Sequence, residues 1–144
     1  MPFIKIWIHA VWSTKNRVPL LKEGIRKSVI DHIKANAKEK GIYLDCINGH
    51  LDHLHCLISL KGDQTLAKTM QLIKGESAFW INRQDLIKGK FAWQSEYFAV
   101  SISESQLNKV RNYISRQQEH HRKKSFQEEY DQFMKKYSFD KFSG

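Results

Sequence analysis

The sequence is short of cysteine, of acidic residues and of long apolar runs, and each shortage excludes something. Only two cysteines occur, Cys46 and Cys56. Both fall in strand-like stretches and no C-x-x-C spacing is present, which argues against a disulfide scaffold or a zinc ribbon. No apolar run approaches the roughly 18 residues that a membrane span needs. The start, MPFIKIWIHA, has no basic stretch leading into a long apolar segment, so no secretory signal is expected. A reduced, cytoplasmic protein with no membrane partner is the expectation. Internal repeats and low-complexity segments are also missing. Acidic residues number 15 against 24 Lys and Arg, a formal net charge of +9. That excess in so small a chain points to a polyanionic partner, nucleic acid ahead of an acidic membrane surface. What is there suffices for folding: 144 residues, 41% hydrophobic and 12% aromatic, fit one domain with a real core.

Hydrophobic periodicity sets out the elements. Residues 3–13 alternate, with Ile4, Ile6, Ile8, Ala10 and Trp12 on one side and Lys5, Trp7, His9 and Val11 on the other, and predict a strand. A basic loop with Pro19 covers 13–24. Ile25, Val29, Ile33 and Ala37 predict a helix to about Lys40, stopped by Gly41. A strand follows over 42–47, then Asn48-Gly49 as a two-residue hairpin turn, then a strand over 50–60. Leu66, Met70, Ile73 and Trp80 predict a helix over about 65–82. A basic connection leads to a fourth strand near 96–102. Ser103 to Gln106 has capping-box form and opens a third helix to about His121; Ser125 to Glu128 repeats the pattern before a last helix. That helix carries Phe126, Tyr130, Phe133 and Tyr137 on one stripe, read as packing. The order β-α-β-β-α-β with extra helices predicts an α+β, split β-α-β (ferredoxin-like) fold. Its four-stranded antiparallel sheet has two helices on one face. One domain is expected over 1–144, with a core at 1–103 and the tyrosine helix and last helix at 104–144.

Within this pattern the stretch HLDHLHCLI, residues 50–58, is unusual. Leu54, Cys56 and Ile58 fill the buried face, which leaves His53 and His55 side by side on the other. In the third helix Leu107, Val110 and Ile114 form the apolar stripe, and Tyr113 and Gln117, four residues apart, flank it. Docking that stripe on the sheet brings Tyr113 and Gln117 towards the two imidazoles. Two neutral imidazoles and an amide oxygen can hold a divalent ion with positions left open for a substrate. A tyrosine beside the ion can attack phosphorus and form a covalent phosphotyrosine.

His53-Leu54-His55 resembles the His-hydrophobic-His motif of the HUH endonucleases, and Tyr113 with Gln117 resembles the tyrosine helix of their single-tyrosine transposases. Those are the small insertion-sequence transposases and the REP-associated tyrosine transposases. Ser13-Thr14-Lys15-Asn16-Arg17, Lys74-Gly75-Glu76-Ser77, Phe91-Ala92-Trp93-Gln94 and Ser125-Phe126-Gln127-Glu128-Glu129 look like family segments too. Relatives often carry a proline before the aspartate, where this chain has His50-Leu51-Asp52. The resemblance implies a DNA transposase that binds single-stranded DNA hairpins as a homodimer. It implies nicking and rejoining through a 5′-phosphotyrosine with magnesium or manganese, and no small-molecule cofactor. Tyr113 would be the nucleophile and His53, His55 and Gln117 the metal ligands. Lys15, Arg17 and Lys74 are candidate phosphate contacts, since a basic protein must place such contacts somewhere. The tyrosine helix is expected to serve the histidine pair of the partner subunit.

Other readings are weaker. A histidine-triad hydrolase needs a third histidine where Leu57 stands. An RNA-binding module would place aromatic residues where His53 and His55 stand, though Trp7 could stack a base. A replication initiator or relaxase often has a second tyrosine, but Gln117 and His120 follow on this helix face. A non-catalytic nucleic-acid-binding module or a host-adapted nuclease on the same fold are the alternatives. His9 lies on the histidine face, and His120-His121, in a charged run, reads as a solvated helix end.

Overall fold

Four antiparallel strands carry the molecule: β1 (Ile6–Ser13), β2 (Tyr43–Gly49), β3 (His53–Leu60) and β4 (Phe98–Ile102). Their order across the sheet is β2-β3-β1-β4, so the two strand pairs that are joined by helical crossovers, β1 with β2 and β3 with β4, interleave. This is the expected α+β split β-α-β arrangement. The structure is a computed structural model and describes residues 2–137; Met1 and residues 138–144, the end of the expected 104–144 segment, lie outside the described residues. No described helix is long and apolar enough to cross a membrane.

Helix α1 (Glu23–Glu39) buries Val29, Ile33 and Ala37, one per turn, and stops where Gly41 takes a positive φ of 73°. Helix α2 (Leu66–Gln84) is capped by Thr65, whose hydroxyl accepts the Lys68 amide at 3.1 Å, and buries Met70, Ile73 and Ile81. Both helices cover one face of the sheet, packing on Ile8, Ala10 and Trp12 of β1 and Leu54, Cys56 and Ile58 of β3. The period-2 rule then sends His9, His53, His55 and Leu57 to the other face. That face is covered too. Helices α3 (Leu107–Ser115), α4 (Gln117–Lys123) and α5 (Phe126–Tyr137) close over it, with Leu107 and Ile114 packed on Leu57.

Three local expectations need correction. Asn48-Gly49 is not the hairpin turn: both residues belong to β2 and pair with His55 and Leu54. Gly49 lacks the positive φ that such a turn demands. The chain turns instead through His50, Leu51 and Asp52, held because Leu51 and Asp52 carbonyls accept the Leu21 and Thr14 amides at 2.8 Å each. The expected helix from 103 to 121 is broken at Arg116 (φ −104°, ψ 23°) into α3 and α4. Asn48 anchors the break: its side-chain amide donates to the Ser115 carbonyl at 3.2 Å and exchanges hydrogen bonds with Gln118. Finally, Ser103 makes no cap; its hydroxyl meets Ser105, and a 3-10 turn, Glu104–Gln106, leads into α3. The second capping box does form, with the Ser125 hydroxyl accepting the Glu128 amide at 3.2 Å.

Gly49 is required for space rather than for conformation. A Cβ there would stand 2.1 Å from the His53 carbonyl oxygen. Gly49→Ala is therefore expected to destabilise the fold by about 1–3 kcal/mol, the range of forced overpacking. Urea unfolding measures it; an unchanged midpoint would show that the hairpin gives way freely.

Candidate functional site

The histidine face is a buried polar cluster. His53 and His55 are both 0% exposed, and Gln117 and Glu129 are buried with them. Strand β3 fixes the two imidazoles, with rings 5.2 Å apart. The break at Arg116 still delivers Gln117, whose Oε1 lies 3.0 Å from His53 Nε2. Helix α5 contributes Phe126, stacked on the His53 ring at 4.0 Å, and Glu129. Glu129 Oε1 lies 2.9 Å from His55 Nε2 and 3.4 Å from His53 Nε2. Its other oxygen accepts the Tyr113 hydroxyl and the Gln117 amide. The Tyr113 and His55 rings are 5.6 Å apart. Tyr113, His53, His55 and Gln117 thus meet within one chain. The physical reason is the short 3-10 link after β4, which lets Leu107 and Ile114 dock α3 on its own sheet.

Two further groups orient the imidazoles. Asp52 Oδ1 accepts His53 Nδ1–H at 2.8 Å. His9 Nε2 lies 2.9 Å from His55 Nδ1, and the network assigns His9 as donor, because His55 donates its own Nε2–H to Glu129. Burial, and then the neighbouring His55, lower the His9 pKa to about 3. Burial lowers that of His55 to about 4, against the pull of Glu129. For His53 burial opposes the charged form, but hydrogen bonds to Asp52 and Glu129 outweigh it and the pKa rises. Burial also opposes ionisation of Glu129, yet hydrogen bonds from His121, His53 and His55 hold its carboxyl far below the usual range. Tyr113 is pushed the other way, first by burial and then by the Glu129 charge, so its phenol stays protonated here.

The sequence pattern overlooked Glu129 as a member of the buried cluster and misread His121. The side chain of His121 is 3% exposed, not solvated; its Nδ1 meets the Lys124 carbonyl at 2.7 Å and its Nε2 meets Gln117 at 3.1 Å. A signal for Glu129 did exist: it interrupts the Phe126, Tyr130, Phe133 stripe with a carboxylate that the helix must bury.

The candidate phosphate contacts separate. Lys15 is exposed, in the 3-10 turn that follows β1. The Arg17 guanidinium lies over the rings of Phe126 (5.0 Å) and Tyr130 (4.8 Å) and bonds Gln127, so it also fastens α5. The Lys74 ammonium donates to the carbonyls of Gln94, Ser95 and Glu96 at 2.8, 3.0 and 3.3 Å, and burial lowers its pKa. Its visible work is to hold that segment. Trp93 donates to Ser77 at 2.9 Å and Asn82 bonds Phe91, so the two motif segments around Lys74 and Trp93 brace one another.

The donor set fits a divalent cation. His53, His55 and Glu129 each offer one ligand atom within 4.8 Å of the others, all buried. Imidazole nitrogen with carboxylate oxygen suits manganese and its neighbours, and the anionic Glu129 supplies charge.

Comparison with known proteins identifies the family. The model of the family described as "Transposase IS200 like" matches residues 3–117. The ISDra2 transposase TnpA of Deinococcus radiodurans is 23% identical over 114 residues, which cover 76% of this chain and 81% of that protein. A crystal structure of a transposase from the same organism superposes with a TM-score of 0.66 at 22% identity, covering 81% of this chain and 93% of that one. A REP-associated tyrosine transposase bound to a REP hairpin superposes at 0.63 and 18% identity, covering 84% and 72%. The family model spans β1 through Gln117, so both histidines and the tyrosine helix fall inside the match: the chain belongs to the IS200-like transposase family.

Proposed function

We propose that this chain nicks and rejoins single-stranded DNA through a covalent bond to Tyr113, with a divalent cation, magnesium or manganese, at the histidine pair. The observation that carries it is the shared carboxylate: Glu129 touches Tyr113 with one oxygen and both imidazoles' Nε2 side with the other. Nucleophile and metal ligands are thereby held around one point. His53 and His55 would present Nε2 to the ion, with oxygen from Glu129 or Gln117. When bound, the cation would polarise the phosphodiester and stabilise the departing 3′ oxygen.

The chain's own residues do the rest. Asp52 and His9 hold the two rings by their far nitrogens, which fixes where the near nitrogens point. Tyr113 attacks phosphorus, its phenolic proton passing to solvent, and the 3′ oxygen leaves, taking a proton from solvent to become a 3′-hydroxyl. The phosphotyrosine conserves bond energy, so rejoining needs only attack by a 3′-hydroxyl. Lys15 and Arg17 would take backbone phosphates; Lys74 would act by holding residues 94–96. The superposed relative is bound to a REP hairpin, which supports a hairpin as the partner DNA. A homodimer belongs to the same proposal: β2 is an outer strand of the sheet, and an outer strand can pair with a second copy of itself.

The test is covalent capture. Incubated with single-stranded DNA and manganese, the protein should give a detergent-stable protein–DNA adduct carrying the 5′ end. Single-stranded DNA that is never cut or bound would refute the proposal. Binding should also weaken steeply with salt, by about 0.7 on a log–log plot per phosphate contacted. A flat salt dependence would remove the phosphate contacts assigned to Lys15 and Arg17.

A further inference from the structure

A cavity of about 400 Å³ is separated from His53 by the Phe126 ring, and the proposed chemistry does not use it. Its walls are Tyr97 and Phe98 at the start of β4, Tyr130 of α5 and the Arg17 turn; Gln94 and Glu96 form its polar edge. Phe126 also lines it, and the same ring stacks on His53. Whatever fills the cavity is one ring away from the metal ligands.

We infer that this cavity receives one unpaired nucleobase of the DNA strand, stacked on the aromatic wall and read along one edge by Gln94 and Glu96; the inference rests on the single-strand substrate proposed above. Three observations support a built site over slack packing beneath α5. First, the cavity carries a polar edge. Gln94 uses its Oε1 to accept the Asn16 amide at 3.3 Å, and its Nε2 donors and the exposed Glu96 carboxylate bring a donor and an acceptor to the same lining. An acceptor beside a donor complements an exocyclic amine next to a ring nitrogen, as on cytosine, whose N4 amine is a known donor to carboxylates.

Second, the edge is held rigid. The half-buried Lys74 ammonium binds the carbonyls of Gln94, Ser95 and Glu96, and the Gln94 amide donates to Ser13 at 2.9 Å. Third, the opposite lip is strained. Asn16 and Arg17 both take left-handed φ values, 58° and 56°, without being glycine. That turn sets the Arg17 guanidinium over Phe126 and Tyr130, at the mouth, where it can meet the phosphate of the base that enters. Glu96 would repel a phosphate from the interior, so a base goes in and its phosphate stays at Arg17. Stacking on aromatic side chains tolerates any base, and the Gln94–Glu96 edge then adds preference.

The experiment separates this from the proposed reaction by using Tyr113→Phe protein, so binding is read without cleavage. The probes are fluorescein-labelled oligo(dC) and an abasic backbone of the same length. Oligo(dC) should bind roughly 5- to 100-fold more tightly, the range for stacked bases. In Gln94→Ala/Glu96→Ala protein that ratio should fall by about fivefold or more, with abasic binding unchanged; neither position is buried, so folding should hold. Irradiating a 5-iododeoxycytidine oligonucleotide should give cross-links on Tyr97 or Tyr130. A ratio near one, a ratio untouched by the double substitution, or cross-links confined to other tyrosines would each overturn the base site. Phosphate-driven, salt-sensitive binding would still stand in those cases, so the two proposals fail separately.

Discussion

Tyr113→Phe is expected to remove the covalent protein–DNA adduct, by roughly 10³-fold or more, since the loss of a nucleophile acts on at least that scale. Binding of single-stranded DNA should stay near the wild-type level. The ring keeps its place beside His9 and His55, because Leu107 and Ile114 dock the helix, not the hydroxyl. What disappears is one hydrogen bond to the Glu129 carboxylate, worth about 1.5–3 kcal/mol of stability for a charged acceptor in general. Glu129 retains its contacts with His55 and Gln117. A denaturing gel of wild type, Tyr113→Phe and Tyr130→Phe on one labelled oligonucleotide checks this. Tyr130→Phe keeps the aromatic wall and should form adduct normally. An adduct at wild-type level from Tyr113→Phe would transfer the nucleophile to another of the five tyrosines.

The same pair of variants shows where sequence reading reaches its limit. Alternation in β1 and β3 was enough to place His53 and His55 together, because a strand's period leaves no freedom once Leu54 and Cys56 are buried. Tyr113 and Gln117 were legible from helical spacing, although the helix breaks between them. The break, the moved turn and Glu129 were not. Asn48-Gly49 carries the strongest local turn signal in the chain, and it loses to register. The bulge between Leu44 and Cys46 slides β2 so that Asn48 faces His55 and can hold the end of α3. Glu129 reaches His55 across 74 residues of sequence. Its place on the aromatic stripe of α5 hints that it is buried, but only the docking of α5 reveals its partner. His121 was misread for the same reason, since a charged run such as Gln117 to Lys124 is usually solvated, and here α5 covers one side of it.

Manganese is expected to raise the thermal midpoint of the wild-type protein, and His55→Ala should abolish that rise while leaving a folded protein. A ligand that binds only the native state stabilises it by mass action, so the shift reports binding without any reaction. Glu129→Gln decides which oxygen serves the ion. The sequence pointed to the Gln117 amide, whereas the structure adds a buried carboxylate oxygen 2.9 Å from His55 Nε2 and 3.4 Å from His53 Nε2. A carboxylate contributes charge that an amide cannot, so Glu129→Gln should weaken manganese binding by at least about 10-fold, and more than Gln117→Ala does. The pH dependence has a definite sign. Asp52 and Glu129 raise the pKa of His53 above its ordinary value, so its Nε2 keeps a proton to higher pH than a free imidazole would. A metal must displace that proton, and apparent affinity should therefore climb as pH rises through the raised His53 value and fall below it. His55, with its pKa lowered to about 4, is already neutral in that window and contributes no slope there. Asp52→Asn removes one of the two anions, so it should move the His53 midpoint, and with it the steep part of the curve, to lower pH. Calorimetric titration with manganese at several pH values measures both effects. Affinity that is flat with pH, or unchanged in Glu129→Gln, would take the cation away from this cluster and leave Glu129 as a structural acceptor for Tyr113 and the histidines.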